Sequence, residues 1–495
     1  MNKSSVVKNE KYVVDIIDNG FEGEGIAKID GLTVFVPGSI KGEKCEILIV
    51  KVLASHAYGK IVNIIEKSEN RKESDCATYK RCGGCSLRHM TYESTLKLKR
   101  QVVQNLINKG LKKKVEVLET IGMENPYNYR NKAQYPVGLN SEGQPEVGVF
   151  AQRTHTIIPI QTCLIQTEIS QKIAKTILNF VKEKNIQVYN EENQKGLLRH
   201  IVIKVGKYTN QVMCILVVND SKFNQEQELV KLLCEKYPEI KTIVKNINNK
   251  NTNVILGKEN INLYGNGYIE DKLGEYIFKI SPMSFYQVNP VQAEILYTTA
   301  INQANLDRND ILFDLYCGIG TIGIFASKYV NKVYGIEIVP EAIDDANVAL
   351  NRDKTSSEEI EACYRHLNAV LEYLSTREVS ANANAKINDV KNIEFICGDV
   401  EVAFDELINK EKIVPSAIIV DPPRKGLDNK TVENIAKIKP AKLVYISCNP
   451  ATMVRDLTKL ENIYNIKAIQ PVDMFPWTNG VESITILEIE QWKKN

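Results

Sequence analysis

The period of apolar and polar positions changes three times along the chain. Over residues 11–66 short apolar runs, "YVVDIIDNG", "GEGIAKIDG", "LTVFVPGSIKGEKCEILIVKVL" and "YGKIVNIIEK", alternate with glycine turns. Short strands at that spacing, punctuated by Gly and Pro, predict a small OB-like barrel over residues 1–67. A polar, cysteine-rich connector follows at 67–90, and residues 91–110 carry a helical period. From 126 to 280 the pattern is mixed, with strands at "GLLRHIVIKVG" and "NQVMCILVVND" and a helix at "SQKIAKTILNFVKEK". Residues 68–280 therefore read as an α+β central domain.

After about residue 290 helix and strand patterns alternate. "NPVQAEILYTTAINQA" is helical, "DILFDLYCG" a buried strand, "IGIFASKY" a helix, "KVYGIEIV" a strand, "PEAIDDANVALN" a helix and "NIEFICGD" a strand. "AFDELINKE", "SAIIVDPP", "ENIAKIK", "KLVYISC" and "SITILEIEQW" continue the series. Such alternation predicts an α/β, doubly wound (Rossmann-like) domain over 281–495, a parallel sheet with helices on both faces. The polar, partly helical segment 352–391 interrupts it and reads as an insertion on the sheet's rim.

Composition narrows the class. The chain has 495 residues, 43% hydrophobic and 25% charged, ordinary for globular protein and enough for about two to four domains. No run approaches the roughly 18 apolar residues of a membrane span, and the start lacks a secretory apolar region, so the expectation is a cytoplasmic protein without a membrane partner. Eleven scattered cysteines do not suggest a disulfide framework and leave the unusual ones to metal binding or catalysis. A net charge of +2 says little, because a neutral total can hide a basic face. The cations of "KLKRQVVQNLINKGLKKKVEV", 97–117, read most simply as a solvated helix and its C-terminal turn.

Candidate chemistry gathers at strand ends of the third domain. "FDLYCGIGTIG", 313–323, puts Asp314 and a glycine turn at the end of its first strand, where Gly318 and Gly320 let the backbone approach a ligand. The spacing alone also fits a dinucleotide. Glu337 ends the second strand, where an acid can accept ribose hydroxyls, and Asp399 ends the third, facing an adenine amine. "IIVDPPRKG", 418–426, then delivers Asp421 ahead of two stiffening prolines. A Pro-Pro loop there is similar to that of S-adenosylmethionine-dependent methyltransferases acting on nucleobases. Asp421 and Arg424 stand in place of the Asn and aromatic used on exocyclic amines.

One strand later comes Cys448. Most strand-end cysteines are small buried hydrophobes. Carbon 5 of uracil, however, is too weak a nucleophile to take a methyl group from a sulfonium unaided; a thiolate that adds to carbon 6 makes it an enolate. Release then needs a base for the carbon 5 proton. Histidine is scarce, five in the chain and none after His366, so Glu482 is the candidate; a solvated strand-end acid is the plain alternative.

"DPPRKG", "YISCNPATMVRDL", "DMFPWTNGVES" and "ISPMSFYQVNPVQAEILY" together resemble the RNA uracil-5-methyltransferase family over nearly the whole chain. The resemblance implies Cys448 as nucleophile and Glu482 as base. It implies Gln287, Tyr316, Glu337, Asp399 and Asp421 as the lining of the S-adenosylmethionine and active sites. Two positions depart from the family: Gly480 replaces a usual histidine, and Trp477 stands where a polar residue is common.

"CATYKRCGGC", 76–85, spaces three cysteines as C-x5-C-x2-C, and Cys163 lies downstream. Spacing alone allows zinc or an iron–sulfur site. The rRNA-modifying branch of the resembled family carries this pattern, and by that likeness Cys76, Cys82, Cys85 and Cys163 hold a [4Fe–4S] cluster. Cys214 and Cys234 read as core, and Cys317 is given no chemistry. The barrel resembles the TRAM module of RNA-modifying enzymes and, with the cluster, implies 23S rRNA as partner and substrate. Cations of "YRNKAQYPVG", 129–138, and of "GLLRHIVIKVG", 196–206, read either as a grip on phosphate or as plain surface charge. Alternatives are a cytosine-5 enzyme, a tRNA uracil-5-methyltransferase and a non-catalytic RNA-binding assembly factor; a monomer is the default state.

Overall fold

The computed structural model describes residues 6–152, 154–159, 161–338 and 380–489. The helix expected at 340–351 and positions 352–379 of the expected insertion lie outside these residues.

Six strands form the N-terminal unit: β1 (Lys11–Asp15), β2 (Asp18–Asn19), β3 (Gly25–Ile29), β4 (Leu32–Val36), β5 (Lys44–Val52) and β6 (His56–Glu66). Their order, β1-β5-β6-β4-β3-β2, puts two consecutive strands at opposite edges of one sheet. The sheet curls to join them: the Ile16 N–H donates to the Glu43 carbonyl at 2.8 Å and the Ile17 N–H to that of Ile26 at 2.8 Å. Asp30 and Gly31, both at positive φ (46° and 84°), make the tight β3–β4 hairpin turn that right-twisted strands require. Val14, Ala27, Val34, Ile47 and Ala57 alternate inward as its core.

The central sheet has seven strands: β7 (Lys132–Leu139), β8 (Pro145–Phe150), β9 (Ile157–Pro159), β10 (Leu198–Val205), β11 (Val212–Val218), β12 (Ile240–Ile247) and β13 (Glu259–Tyr264). They run in the order β13-β12-β11-β10-β7-β8-β9. Every residue of β10 and β11 is buried, which explains why their sequences show no alternation. Ile201, Ile203, Cys214 and Leu216 meet helix Glu168–Glu183 on one face. Val202, Met213, Ile215 and Val217 on the other join the core of the next domain, through the hairpin β14 (Ile269–Leu273) and β15 (Tyr276–Ile280).

The third sheet comprises β16 (Ile311–Leu315), β17 (Lys332–Glu337), β18 (Ile393–Cys397), β19 (Ala417–Val420), β20 (Lys442–Ser447), β21 (Tyr464–Val472) and β22 (Glu482–Ile489), ordered β18-β17-β16-β19-β20-β22-β21. Five strands are parallel, but β22 is antiparallel to both β20 and β21. The parallel sheet expected from the alternation is present in five strands, with antiparallel β22 added at this end. The strand order reverses between β16 and β19, the crevice where doubly wound sheets bind ligands.

Two further expectations change. Residues 380–391 are packed on the domain by one face: Ser380 caps helix Ala381–Ile387, Ala381 and Ala385 are buried, and Asn384 and Asn388 accept the N–H groups of Lys279 and Ile277 at 2.9 and 2.8 Å, while Lys386, Ile387, Asp389 and Lys391 are exposed. Helix Tyr92–Gly110 is not merely solvated. Val103 and Ile107 pack with Val454, Leu457 and Ile469 of the third domain, and Lys99 is buried. Among the described residues no helix is long and apolar enough to cross a membrane.

Candidate active site

Pairing register brings the candidate nucleophile and base together. Ser447, the last residue of β20, faces Ser483 of β22, so Cys448 emerges beside Glu482, the first residue of that strand. Asn449 caps the helix that follows, accepting the Ala451 N–H at 3.2 Å, and Pro450 takes the first helical position. The break after Cys448 is thus a helix start, and it points the thiol out of the sheet end.

The Pro-Pro loop after β19 is tied to the same helix start. Asn449 Nδ2 and Thr452 Oγ1 both donate to the Arg424 carbonyl, at 3.0 and 3.2 Å. Buried Asp456 accepts the Leu427 N–H at 2.9 Å and the Tyr445 hydroxyl at 2.8 Å. Asp421, Arg424, Cys448 and Glu482 therefore share one electrostatic neighbourhood. Burial raises Asp421 to about 7. Burial, reinforced by Asp421 and opposed by Arg424, raises Glu482 to about 8. The Cys448 thiol is pushed up to about 11, by burial first and then by Glu482 and Asp421, again against Arg424.

Gln287 lies on the same side. Its side chain and that of Thr321 contact the Tyr297 hydroxyl, which burial and the nearby Asp421 hold protonated. Tyr297, Thr321 and Thr452 carried no signal in the sequence, whereas the Asn449-Pro450 break was legible there and is the helix cap.

The other predicted acids stand around the β16 crevice. Glu337 ends β17 and accepts the Gly318 N–H at 3.1 Å. Asp399 sits two residues beyond β18 and caps helix Val400–Asn409, accepting the Glu401 N–H at 2.9 Å. Tyr316 takes φ 66°, rare for a bulky residue, and donates its hydroxyl to Asp428 at 3.2 Å. Gly318, at φ 56°, has open space where a Cβ would stand. Asp314 is fully buried and raised to about 8 by burial; one oxygen accepts the Gly323 N–H at 2.7 Å while the other has no partner among the described residues. An open glycine turn, a ribose-height carboxylate and an orphaned buried oxygen fit an adenosyl ligand.

The loop between β21 and β22 is anchored from the central domain. Asp473 and Lys99 form a buried ion pair at 2.5 Å, Tyr92 donates to Asp473 at 2.8 Å, and Lys99 also reaches the Phe475 carbonyl at 3.1 Å. Trp477, buried at φ 69°, donates from its indole to the Pro126 carbonyl at 2.9 Å. Its own carbonyl accepts the N–H groups of Ser86 and Leu87 at 3.0 and 2.9 Å. The departure at Trp477 is thereby a tether to the cysteine-rich connector.

Cys76, Cys82, Cys85 and Cys163 all line one cavity of about 220 Å³, together with Arg88, Arg130 and Lys132. Burial pushes the Cys85 thiol up to about 12, with Cys163, Cys82 and Cys76 adding to the rise. Gln171 holds Cys163 at both its N–H and its carbonyl, at 2.6 and 2.9 Å. Among the described residues no three His, Cys, Asp or Glu side chains are placed to hold a metal ion. The thiols ring a cavity instead of converging on a point.

Both readings of the 196–206 cations, phosphate grip and surface charge, are overturned. Lys204 is buried and donates to the Ser281 and Ser284 carbonyls at 2.7 and 3.0 Å. Arg199 is likewise buried, donating to the carbonyls of Asn248 and Lys250 at 2.5 and 2.9 Å.

Comparison with known proteins agrees with this arrangement. The family model described as tRNA (Uracil-5-)-methyltransferase matches residues 91–490, and the TRAM domain model matches 6–62. An "Uncharacterized RNA methyltransferase" of Clostridium acetobutylicum is 42% identical over 487 residues, 98% of each chain. A protein of the same description from Staphylococcus aureus is 37% identical over 490 residues, covering 98% of this chain and all of that one. Among solved structures, the Pyrococcus abyssi tRNA (uracil-54, C5)-methyltransferase in complex with S-adenosyl-L-homocysteine shares the fold, with TM-score 0.69 and 23% identity over 97% of this chain and 100% of that one. With Asp314, Glu337 and Asp421 gathered at the sheet's switch point and this match over most of its length, the chain belongs to the S-adenosylmethionine-dependent RNA (uracil-5-)-methyltransferase family and carries an N-terminal TRAM domain.

Proposed function

We propose that this protein methylates carbon 5 of an unpaired uridine in 23S rRNA, with Cys448 as nucleophile and Glu482 as base. The observation that carries the reading is the β20–β22 register, which sets a thiol and a buried carboxyl side by side at the crevice. Cys448 Sγ adds to carbon 6 and the ring becomes an enolate nucleophilic at carbon 5. S-adenosylmethionine supplies an electrophilic methyl group when bound, held by Glu337, Asp399, Tyr316 and the Gly318 turn. Glu482 then takes the carbon 5 proton, the 5,6 double bond re-forms and the thiolate leaves. Asp421 and Gln287 line the space for the base, and Arg424 favours the thiolate over the thiol. Flipping an unpaired uridine into this space costs less than extracting a stacked, paired one.

The cysteine-lined cavity supports a [4Fe–4S] cluster in preference to a single zinc ion. Four thiolates around a space of this size suit a cubane, and Arg88, Arg130 and Lys132 offset its negative charge. Its place beside the Ser86–Trp477 tether supports a structural and RNA-positioning role. Anaerobic purification should give about four irons per chain, and stoichiometric zinc would refute the assignment.

Transfer RNA is the second reading, favoured by the family model's own description. Transcripts of 23S rRNA and tRNA carrying 5-fluorouridine separate the two. Fluorine cannot leave as a proton does, so the enzyme stays attached to its true substrate on a denaturing gel. A Cys448-dependent adduct on 23S rRNA is the expected result. An adduct on tRNA alone moves the substrate to tRNA, and none on either leaves a non-catalytic RNA-binding protein.

A further inference from the structure

The outer face of the N-terminal barrel carries three aromatic rings that the methyl-transfer chemistry does not use. Along β4, Val34 and Val36 turn inward and Phe35 outward; along β6, Ala57 turns inward while His56 and Tyr58 turn outward. The parallel β4–β6 register sets Phe35 beside Tyr58 and Thr33 beside His56. All three rings touch, with centroids 5.4 Å apart for Phe35 and His56, 5.7 Å for Phe35 and Tyr58, and 5.3 Å for His56 and Tyr58. Each is partly buried and keeps part of its surface open to solvent. Ser55 Oγ, 2.9 Å from His56 Nδ1, fixes one ring's orientation.

Exposed lysines surround them. Lys51 pairs with Tyr58 across β5–β6, Lys28 pairs with Thr33 across β3–β4, and Lys60 lies two residues beyond Tyr58 on the same face. A protein partner of apolar character would meet a cationic rim, and a second copy of this chain would bring like charge against like. Single-stranded nucleic acid meets both features favourably, since each base offers a π-face and each phosphate a negative charge. Duplex RNA hides its base faces in the stack.

We propose that Phe35, His56 and Tyr58 form a stacking platform for unpaired bases of the substrate RNA flanking the target, with Lys28, Lys51 and Lys60 neutralising the phosphates. The proposal rests on RNA being the substrate but not on the role of Cys448. It makes the barrel a contributor to KM and to the choice of single-stranded regions, leaving kcat to the third domain.

The test uses the full-length protein and an unstructured single-stranded RNA decamer containing 2-aminopurine, alongside the same decamer in a duplex. Wild-type protein should quench the single strand's fluorescence on binding and bind the duplex more weakly. The double variant Phe35→Ala/Tyr58→Ala should lose about tenfold or more in affinity and most of the quench. Phe35→Leu, which keeps the face covered, should weaken binding with an unchanged melting temperature, and Tyr58→Phe should bind like wild type. Replacing all three lysines by glutamine should keep the quench and reduce the slope of log affinity against log salt by about two. Affinity within twofold of wild type in the double variant, or equal binding of the duplex, would overturn the platform. Sedimentation showing a wild-type dimer that the double variant dissolves would overturn it in favour of a second copy. At saturating RNA the 5-fluorouridine adduct should still form in the platform variants. Absence of the adduct in wild-type protein, with the platform intact, would remove the uracil mechanism and leave this inference standing.

Discussion

The central and C-terminal sheets both have seven strands and both bury ionisable side chains, yet they treat that charge in opposite ways. In the central sheet three buried basic side chains are each held by fixed partners: Lys204 by two carbonyls, Arg199 by two carbonyls and the Tyr189 ring 4.2 Å away, Lys245 by Glu226 at 2.6 Å and the Ser221 carbonyl at 2.8 Å. At the strand ends of the C-terminal sheet three buried acids, Asp314, Asp421 and Glu482, gather with the Cys448 thiol, and burial raises the pKa of each, opposed only by Arg424 at Glu482 and Cys448. A paired buried charge stiffens a fold, whereas an under-paired one is poised to exchange a proton. The difference separates scaffold from site more clearly than strand count or burial does.

Substitutions can break or sharpen that contrast, the largest effect first. Cys448→Ala should lower single-turnover methyl transfer by at least about 10⁴-fold, since removing a nucleophile leaves only binding and electrostatics. Its melting temperature should stay near wild type. Glu482→Gln should slow turnover by about 10² to 10⁴-fold, the range for a lost general base. It should accumulate a covalent complex with ordinary, unfluorinated RNA, seen as a shifted band on a denaturing gel; turnover falling without that band would place Glu482 outside the elimination step.

On the anchoring side, Lys99→Met strands a buried carboxylate at Asp473 and should cost about 3–5 kcal/mol in denaturant unfolding. Lys204→Met should cost less, about 1–3 kcal/mol, because it only leaves the Ser281 and Ser284 carbonyls unpaired. Chemistry measured at saturating substrate should survive in whatever fraction of that variant is folded. The gentlest test is the pH dependence of stability. Burial raises Asp314 from 3.8 to about 8, so the folded chain binds more protons than the unfolded one across that window. Its contribution to stability is largest below the window and falls as pH climbs through it. Asp314→Asn should flatten the melting-temperature profile between about pH 5 and 8; an unchanged slope would mean the acid is ionised in the fold.

Local pattern carried much of this fold because strand and helix periods are short-range properties. The glycine turns of the barrel, the helix at 168–183 and the strand ends bearing Glu337 and Asp421 could all be read from neighbours a few residues apart. The misreadings share a cause. β10 is buried on both faces, so its lysine and arginine looked like surface cations when each lies against carbonyls distant in sequence. Residues 380–391 looked polar because Asn384 and Asn388 spend their amides on the β15 backbone. Helix Tyr92–Gly110 looked solvated because the partner of Lys99 is 374 residues away.

Residue type and order were enough to name a thiol at a strand end, a Pro-Pro loop after an acid, four spaced cysteines and a small N-terminal barrel. Each is a local fact about the chemistry a segment can offer. Which of them meet was decided by the tertiary structure alone. The antiparallel return of β22 puts Glu482 beside Cys448, and Trp477 binds that loop to the cysteine connector. The parallel β4–β6 pairing assembles three rings into one surface. Register and long-range pairing depend on the burial of many side chains at once, and no single stretch of sequence encodes that sum.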